Sequence, residues 1–391
     1  MTHLIKTLLL AFTISISLNA QIAEIPFELN NDLVLIKLKI NDLSEYKTFV
    51  FDTGATADVI DSTSAQTLGL KANYKHEASG ASGKKSYDII LNQKLSLNDN
   101  ANVENTLLVI ADLTKLKQAL GKDFDGIIGY SLINKYITKV DYDNKKIVLF
   151  DKIQDVDTTG YEAIPFKFEH GMPIPQFDIS ITLNNGETYT DKILLDSGAS
   201  RTLIVNMPYN KKHNLTQKSG KSIVSKSEDL HGETFPESIA IKSITVGGYT
   251  LNDMAIIVSN DEDGVNSYDN YMGLLGAEVI NRFDVILDYS NFMLYIKPNS
   301  SFNKTFEFPV SGIDLKKVDN DIVITWVVET SEAYKEGIRT GDKVISINDD
   351  ATGNIAAYRA LLKKENDTAR LTIIDSEGET KKIKLKLERL L

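Results

Sequence analysis

Two short segments decide the fold: Phe51-Asp52-Thr53-Gly54-Ala55 and Leu195-Asp196-Ser197-Gly198-Ala199. In each, an apolar stretch ends at an aspartate that is followed by a small hydroxyl residue and glycine. Glycine gives such a turn the backbone freedom to fold the acid inward. A lone copy is also typical of an ordinary β-turn, in which the aspartate bonds only its own backbone. Two copies, 144 residues apart, indicate a repeated unit.

Other segments repeat in the same order. Gly126-Ile127-Ile128-Gly129 is matched by Gly273-Leu274-Leu275-Gly276, and Asp141-Tyr142-Asp143-Asn144 is matched by Asp288-Tyr289-Ser290-Asn291. Both pairs are 147 residues apart, close to the spacing of the two aspartate turns. Three pairs of landmarks in one order and nearly one register indicate that the chain contains the same fold twice.

The apolar residues around these landmarks have the period of strands. Residues 33–40 and 177–183 alternate with a two-residue period, and each stretch precedes one of the aspartate turns. We therefore predict a mostly β fold with a first lobe at residues 21–155 and a second lobe at residues 156–298.

The paired aspartates suggest a specific chemistry. If the two lobes are related by a local twofold axis, Asp52 and Asp196 face each other at the interface. Two carboxylates in contact cannot both ionise readily, so the pair shares one proton. One carboxylate can then act as a base on water while the other donates a proton to a peptide carbonyl. We predict Asp52 and Asp196 as the catalytic residues, with no cofactor and no metal ion.

The two aspartate turns and the two apolar-apolar-Gly segments resemble those of the retropepsin-like aspartic proteases, in a single-chain, two-lobed form. The resemblance covers residues 25–297. The resemblance implies two pseudo-symmetric pepsin-like lobes and an aspartic endopeptidase that hydrolyses peptide or protein substrates. It implies that Thr53 and Ser197 cross-brace the two turns. Ala55 and Ala199 follow the glycines as in the retroviral type, whereas pepsin-like enzymes have a hydroxyl residue there. The residues predicted to support the active-site turns are Thr53, Gly54, Ser197 and Gly198.

Two other functions stay open at this stage. A catalytically inactive protein of the same fold would bind peptides in the cell envelope without turnover. A purely structural envelope protein would leave the paired aspartate turns unexplained. Intact turns in both lobes favour the enzyme.

Each lobe of the retroviral type has a flap that closes over the substrate. Residues 79–87 and 219–232 are rich in glycine and serine and lie at the corresponding places. Plain surface hairpins are the alternative interpretation. The flap candidates are Gly80, Gly83, Gly220 and Gly232.

The composition changes after the second lobe. Residues 299–307 predict a polar linker, and residues 308–391 predict a third domain. Its pattern predicts strands at 322–328, 343–347, 370–374 and 382–387 and helices at 331–336 and 354–364.

The third domain resembles the PDZ domains of bacterial proteases, because Gly337-Ile338-Arg339-Thr340-Gly341-Asp342 leads into an apolar strand. The resemblance implies a C-terminal peptide as the ligand, bound as an added strand, so that the domain recruits or positions protein substrates. Alternatively the domain only packs on the protease, since Asp314 would repel a terminal carboxylate. The predicted peptide-binding loop consists of Gly312, Ile313, Asp314 and Leu315.

Composition excludes several other functions. The net charge of −11 argues against a nucleic-acid partner, because phosphate binding needs concentrated lysine and arginine. The chain has no cysteine, which excludes disulfides and thiolate nucleophiles. The histidines at 76, 170, 213 and 231 are scattered without metal-ligand spacing.

Residues 1–20 have the pattern of a signal peptide. Lys6 precedes an apolar run at 8–18, and Ala20 offers a small residue for cleavage. The run is too short to span a bilayer comfortably, so we expect cleavage and export to the periplasm or the medium. An uncleaved anchor is the alternative. No later stretch reaches the roughly 18 apolar residues of a membrane span.

Overall fold

The computed structural model describes residues 21–79, 84–228 and 233–391, and this part of the chain is mostly β. The predicted signal peptide, residues 1–20, lies outside the described residues, as do residues 80–83 and 229–232 of the two predicted flaps. Among the described helices, none is long and apolar enough to cross a membrane.

Residues 21–155 form the first half of the structure. Its strands are β1 (Gln21–Asn30), β2 (Leu33–Ile40), β3 (Lys47–Phe51), β4 (Asp58–Asp61), β5 (Tyr74–Ser79), β6 (Lys84–Ser96), β7 (Asn102–Ala111), β8 (Gly126–Ile128), β9 (Ile137–Asp141) and β10 (Lys146–Phe150). Its helices are α1 (Ser62–Thr67), α2 (Thr114–Leu120) and α3 (Tyr130–Lys135). Strand β2 lies between β1 and β3 and is buried on both faces, with Ile36 and Leu38 in the main core and Leu35 in a second cluster.

Residues 156–298 form the second half. Its strands are β11 (Glu162–Pro165), β12 (Gln176–Thr182), β13 (Thr188–Leu195), β14 (Leu203–Val205), β15 (Ser222–Val224), β16 (Ser227–Glu228), β17 (Glu233–Thr234), β18 (Glu237–Val246), β19 (Tyr249–Val258), β20 (Gly273–Leu275), β21 (Phe283–Asp288) and β22 (Met293–Pro298). Its helices are α4 (Met207–His213), α5 (Leu215–Ser219) and α6 (Ala277–Ile280).

The two halves use the same strand pairings around their aspartates. The strand that ends at the aspartate runs parallel to the strand of the apolar-apolar-Gly segment, β3 with β8 and β13 with β20. The strand after the turn then pairs antiparallel with that same partner, β4 with β8 and β14 with β20. The repeat in the sequence is therefore also a repeat in the structure.

Strands from both halves meet in one sheet. In the order β11-β22-β21-β9-β10-β1, strand β21 of the second half pairs antiparallel with β9 of the first, and Val285 lies opposite Val140. These two strands end at Asp141 and Asp288, the first residues of two segments that repeat 147 residues apart. A continuous apolar core that includes residues of both halves packs on this sheet.

The C-terminal domain has its own sheet and its own core. Its elements are β23 (Ile313–Val318), β24 (Asp321–Val327), α7 (Glu332–Lys335), β25 (Lys343–Ile347), α8 (Ile355–Leu361), β26 (Thr368–Ile374) and β27 (Thr380–Lys386). The five strands follow one another in sequence order in an antiparallel sheet, so that β23 is an edge strand. Ser331 and Asn354 cap α7 and α8 with their side-chain oxygens.

The segment predicted as a linker, residues 299–307, packs on the second half. Phe306 is 5% exposed and belongs to the main core, while the Phe302 ring lies 5.4 Å from that of Phe283. The Arg282 guanidinium lies over the Phe306 ring at 3.5 Å and donates to the carbonyls of Ser301 and Lys304. The segment is polar in composition, as predicted for a linker, but Phe306 buries its ring and Phe302 half-buries its own.

Candidate active site

Each candidate catalytic aspartate is fixed by the strand pair on which it lies. The Asp52 amide donates to the Ile128 carbonyl at 2.9 Å, and the Asp196 amide donates to the Leu275 carbonyl at 3.0 Å. Both bonds extend the parallel pairing by one residue beyond the strand. As a result, the two side chains leave the sheet at the same kind of place in the two halves.

The two turns approach each other so closely that the second residue after each aspartate has no room for a side chain. A Cβ atom on Gly54 would lie 2.8 Å from Cγ of Asp196, and one on Gly198 would lie 2.3 Å from Cγ of Asp52. Real Cβ atoms do not make such short contacts with a carboxyl carbon. The glycine of each turn therefore makes room for the acid of the other.

The hydroxyl residues between acid and glycine tie the two turns together. The Thr53 hydroxyl donates to the Leu195 carbonyl at 2.8 Å and accepts from the Ser197 amide at 2.9 Å. Reciprocally, the Ser197 hydroxyl donates to the Phe51 carbonyl at 3.3 Å and accepts from the Thr53 amide at 3.0 Å. Both side chains are almost fully buried, so these four bonds fix the separation of the turns.

The carboxyl groups of Asp52 and Asp196 share a hydrogen bond. Both are half-buried, and the loss of surrounding water is the main cause that raises the pKa of each. The negative charge of Asp52 raises the pKa of Asp196 further, to well above its ordinary value. The Gly54 and Gly198 amides, which donate to Asp52 Oδ1 at 2.7 and 3.1 Å, act to lower the pKa of Asp52. The pair therefore binds one proton more readily than two separate aspartates would.

The apolar-apolar-Gly segments lie directly behind the turns. A Cβ on Gly129 would lie 2.2 Å from the Asp52 carbonyl oxygen, and one on Gly276 would lie 2.1 Å from the Arg201 carbonyl oxygen. Any side chain at either position would push the aspartate turn out of place.

Comparison with known protein families identifies two domains in the chain. A family model described as "Aspartyl protease" matches residues 36–132, and one described as "PDZ domain" matches residues 323–375. The chain contains an aspartyl protease domain and a PDZ domain. The two resemblances predicted from the sequence are thereby confirmed. No curated protein matches the chain.

The match to the aspartyl protease domain includes Asp52 but not Asp196. The link between Asp196 and this domain comes from the geometry, namely the shared hydrogen bond and the reciprocal bonds of Thr53 and Ser197. Among the described residues, no cluster of three or more His, Asp or Glu side chains is arranged to hold a metal ion.

A cavity of about 1600 Å³ opens at the aspartate pair. Its walls on the aspartyl protease domain and the second half are largely apolar, and Val59, Ile127, Ile204 and Leu274 are among the side chains that line it. The PDZ domain closes one side of the same cavity, through strand β23 and helix α8.

The residues of the predicted peptide-binding loop lie at the start of β23. Gly312 has a left-handed backbone with φ of 71°, and its carbonyl accepts from the Val328 amide. Ile313, Asp314 and Leu315 belong to the edge strand itself, although the sequence pattern predicted a loop there. Strand β23 was missed because Asp314 and the lysines that follow interrupt its apolar alternation.

Of the flap candidates, Gly220 alone lies among the described residues. It ends helix α5 in a left-handed conformation with φ of 79°. The other three, Gly80, Gly83 and Gly232, lie outside them.

Asp58 is a supporting residue that no motif in the sequence predicted. It is 1% exposed and accepts from the Thr106 hydroxyl at 2.9 Å, the Ser131 hydroxyl at 2.6 Å and the Gly129 amide at 3.2 Å. Burial raises the pKa of Asp58. It joins β4 to the glycine behind the Asp52 turn. The available signal was an acid directly before the apolar pair Val59-Ile60 of β4.

Tyr289 is a second such residue, and it lies in the repeated segment Asp288-Tyr289-Ser290-Asn291. Its ring packs against Phe166 and Phe168, and its hydroxyl is buried with no hydrogen-bond partner within the described part of the chain. Burial, together with the negative charge of Asp52, raises the pKa of Tyr289. An unpaired hydroxyl therefore lies in the electrostatic field of the dyad.

Proposed function

We propose that the chain is an aspartic endopeptidase whose dyad is Asp52 and Asp196, and that its two halves are pseudo-symmetric pepsin-like lobes. The observation that carries the proposal is that one amide, that of Gly198, donates to Oδ1 of both Asp52 and Asp196, at 3.1 and 3.0 Å, on turns that brace each other reciprocally. A structural role alone would not require two acids to be held together where both pKa values are raised. The equivalent strand pairings around the two turns support the pseudo-symmetry.

The direction of the pKa shifts suggests how the proton is divided. Each carboxyl group accepts two amide bonds, and the negative charge of Asp52 raises the pKa of Asp196 the further, so we assign the shared proton to Asp196 and the ionised state to Asp52. Asp52 takes a proton from a water molecule as that water attacks the carbonyl carbon of the peptide bond. Asp196 gives its proton to the carbonyl oxygen. When the C–N bond of the tetrahedral intermediate breaks, the proton on Asp52 passes to the leaving nitrogen, and one hydroxyl of the intermediate returns a proton to Asp196 as the new carboxyl group forms.

The cavity supports a polypeptide as the substrate. It is large enough for several residues of an extended chain, and its apolar walls favour apolar side chains on both sides of the cleaved bond. We propose that the PDZ domain positions protein substrates, because β23 and α8 line this same cavity.

The test is cleavage of a diverse peptide library by the purified full chain, followed by mass spectrometry. Asp52→Asn and Asp196→Asn should each lower the cleavage rate by about 10² to 10⁴-fold or more, because the two acids act as one unit. The matched control is Asp99→Asn, an exposed aspartate outside the cavity, which should cleave like the wild type. If the wild type binds peptides without cleaving them, the chain is the inactive peptide-binding protein of the same fold.

We also propose export of the protein, on the basis of the pattern in residues 1–20. N-terminal sequencing of protein made in a Gram-negative host should give Gln21 as the first residue. An intact Met1 in the mature protein would contradict cleavage.

A further inference from the structure

The register of strand β23 shows which of its backbone groups point outward, away from strand β24. Leu315 lies opposite Ile324 of β24. The Ile324 amide donates to Asp342 and its carbonyl accepts from Gly341, so both groups are directed away from β23. In an antiparallel pair, the groups of the opposite residue then point away as well. The amide and carbonyl of Leu315 are therefore those that an added peptide strand would bond.

Both groups are already bonded within the chain. The Leu315 amide donates to Asp314 Oδ1 at 3.0 Å, and the Leu315 carbonyl accepts from Arg359 Nη2 at 2.7 Å. Helix α2 of the protease also packs against β23. The edge on which a peptide would dock is thus covered by this chain's own side chains and helix.

The other terminal nitrogen of Arg359 donates a hydrogen bond to the aspartyl protease domain. Its Nη1 donates to the Ala119 carbonyl at 3.1 Å, in the last turn of α2, where carbonyls lack helical partners. One guanidinium therefore connects the edge strand of the PDZ domain with a protease helix that lines the cavity.

Hydrogen bonds continue from α2 to the Asp196 turn. The Leu120 carbonyl accepts from the Asn31 side chain at 3.0 Å, and the Asn31 carbonyl accepts from the Ser200 hydroxyl. Ser200 directly follows the Asp196-Ser197-Gly198-Ala199 turn. Release of α2 can therefore change the position of residues next to the dyad.

The charge of Asp314 determines which peptide fits. Its side chain lines the cavity, where the loss of water raises the pKa of Asp314, while the positive charges of Arg359, Arg201 and Lys226 act to lower it. A peptide that displaces Arg359 removes the charge with the largest effect of the three. A lysine or arginine of the peptide would replace it, whereas a terminal carboxylate would be repelled.

We propose that the outer edge of β23 is a regulatory docking surface for an internal, extended peptide segment that carries lysine or arginine, and that docking displaces Arg359 from Leu315 and releases helix α2. The effect on cleavage rests on the proposed function, but docking and release do not. The ligand differs from the C-terminal peptide that the family resemblance implies.

The probe is a fluorescein-labelled peptide with blocked ends, acetyl-Val-Lys-Val-Thr-Val-Lys-Val-amide, titrated into the full chain by anisotropy. Arg359→Ala should bind it about tenfold more tightly than the wild type, because the peptide no longer has to displace a charged hydrogen bond. Arg359→Lys, which keeps the charge but cannot bond both carbonyls as Arg does, should fall between the two. The matched control is Arg370→Ala, an exposed arginine paired with Asp349 outside the cavity, which should bind like the wild type.

Two further measurements test the charge and the release. The same peptide with glutamate in place of lysine should bind at least about tenfold more weakly, and Asp314→Asn should remove that preference. Hydrogen exchange of the α2 amides should rise when the lysine peptide binds, and Arg359→Ala should show the higher exchange without peptide.

The proposal is overturned if the lysine peptide binds neither form, if Arg359→Ala and the wild type bind it equally, or if α2 exchange is unchanged by binding. If the proposed function also holds, the peptide should speed cleavage of a short substrate several-fold in the wild type but not in Arg359→Ala. Docking and release as expected, with no cleavage by any form, would contradict the proposed function and support the docking surface.

Discussion

A Cβ atom on Gly198 would lie 2.3 Å from Cγ of Asp52, although the two residues belong to different halves of the chain. The reciprocal contact, from Gly54 to Cγ of Asp196, would be 2.8 Å. Each glycine thus defines how closely the opposite carboxyl group can approach. The carboxyl pair depends on these two missing side chains as much as on the two acids.

The first prediction is that Gly198→Ala lowers the cleavage rate by about a hundredfold or more, because even a small displacement of a catalytic group has an effect of this size. Gly54→Ala should be less harmful, since its closest contact is longer. Both variants should be assayed on the same peptides as the wild type, with circular dichroism to verify folding. Equal cleavage by folded Gly198→Ala and wild type would show that the turns have room that the structure does not indicate.

The second prediction concerns the hydroxyl of Thr53. Thr53→Val keeps the shape of the side chain but leaves the Leu195 carbonyl and the Ser197 amide unpaired in a buried place. The free energy of unfolding should fall by about 1–3 kcal/mol for each group left unpaired. Thr53→Ser, which keeps the hydroxyl, is the control and should lose much less. Urea denaturation measures both, and similar losses in the two variants would argue against the bracing role.

Local patterns in the sequence predicted the parts of the site that depend on local rules. The aspartate turns and the apolar-apolar-Gly segments are short motifs with fixed backbone needs, and their nearly equal spacings, 144 and 147 residues, predicted that they pack in the same way twice. Strand β2 was predicted at its observed bounds, residues 33–40, because alternation of apolar residues is a strong signal.

Such local patterns could not predict contacts between residues far apart in the sequence. Arg359 and Ala119, which join the PDZ domain to the protease, are 240 residues apart, and no local rule relates them. The packing of Phe302 and Phe306 was missed for the same reason, because a polar composition indicates a linker unless the surface that buries its aromatic residues is known. Tyr289 lay in a repeated motif, but only the fold brings its hydroxyl near Asp52.

The third prediction concerns stability and pH. Folding raises the pKa of Asp52 and Asp196 above the ordinary value of 3.8, so the folded state binds more protons than the unfolded state between the two values. The stabilising effect is complete below pH 3.8 and is lost as the pH rises through the folded pKa values. Asp196→Asn removes the more strongly shifted group. This variant should therefore lose less stability than the wild type as the pH rises, and thermal unfolding over a series of buffers measures the difference. Parallel curves for the two proteins would show that the dyad is not desolvated.

The last prediction concerns the contact between the PDZ domain and the second half. Trp326 of β24 donates from Nε1 to the Val224 carbonyl at 3.0 Å, and its ring lies 5.1 Å from that of Phe235. It is the only tryptophan in the chain, so its fluorescence reports this contact alone. Phe235→Ala removes an aromatic pair worth about 0.5–1.5 kcal/mol and exposes one face of the indole. The emission should shift to longer wavelength, and quenching by acrylamide should increase.

Phe292→Ala, which removes an exposed ring that packs against Phe166 and Phe168, should leave the emission unchanged. An unchanged spectrum in folded Phe235→Ala would mean that the PDZ domain docks elsewhere, and Arg359 could then not hold α2 as the structure indicates.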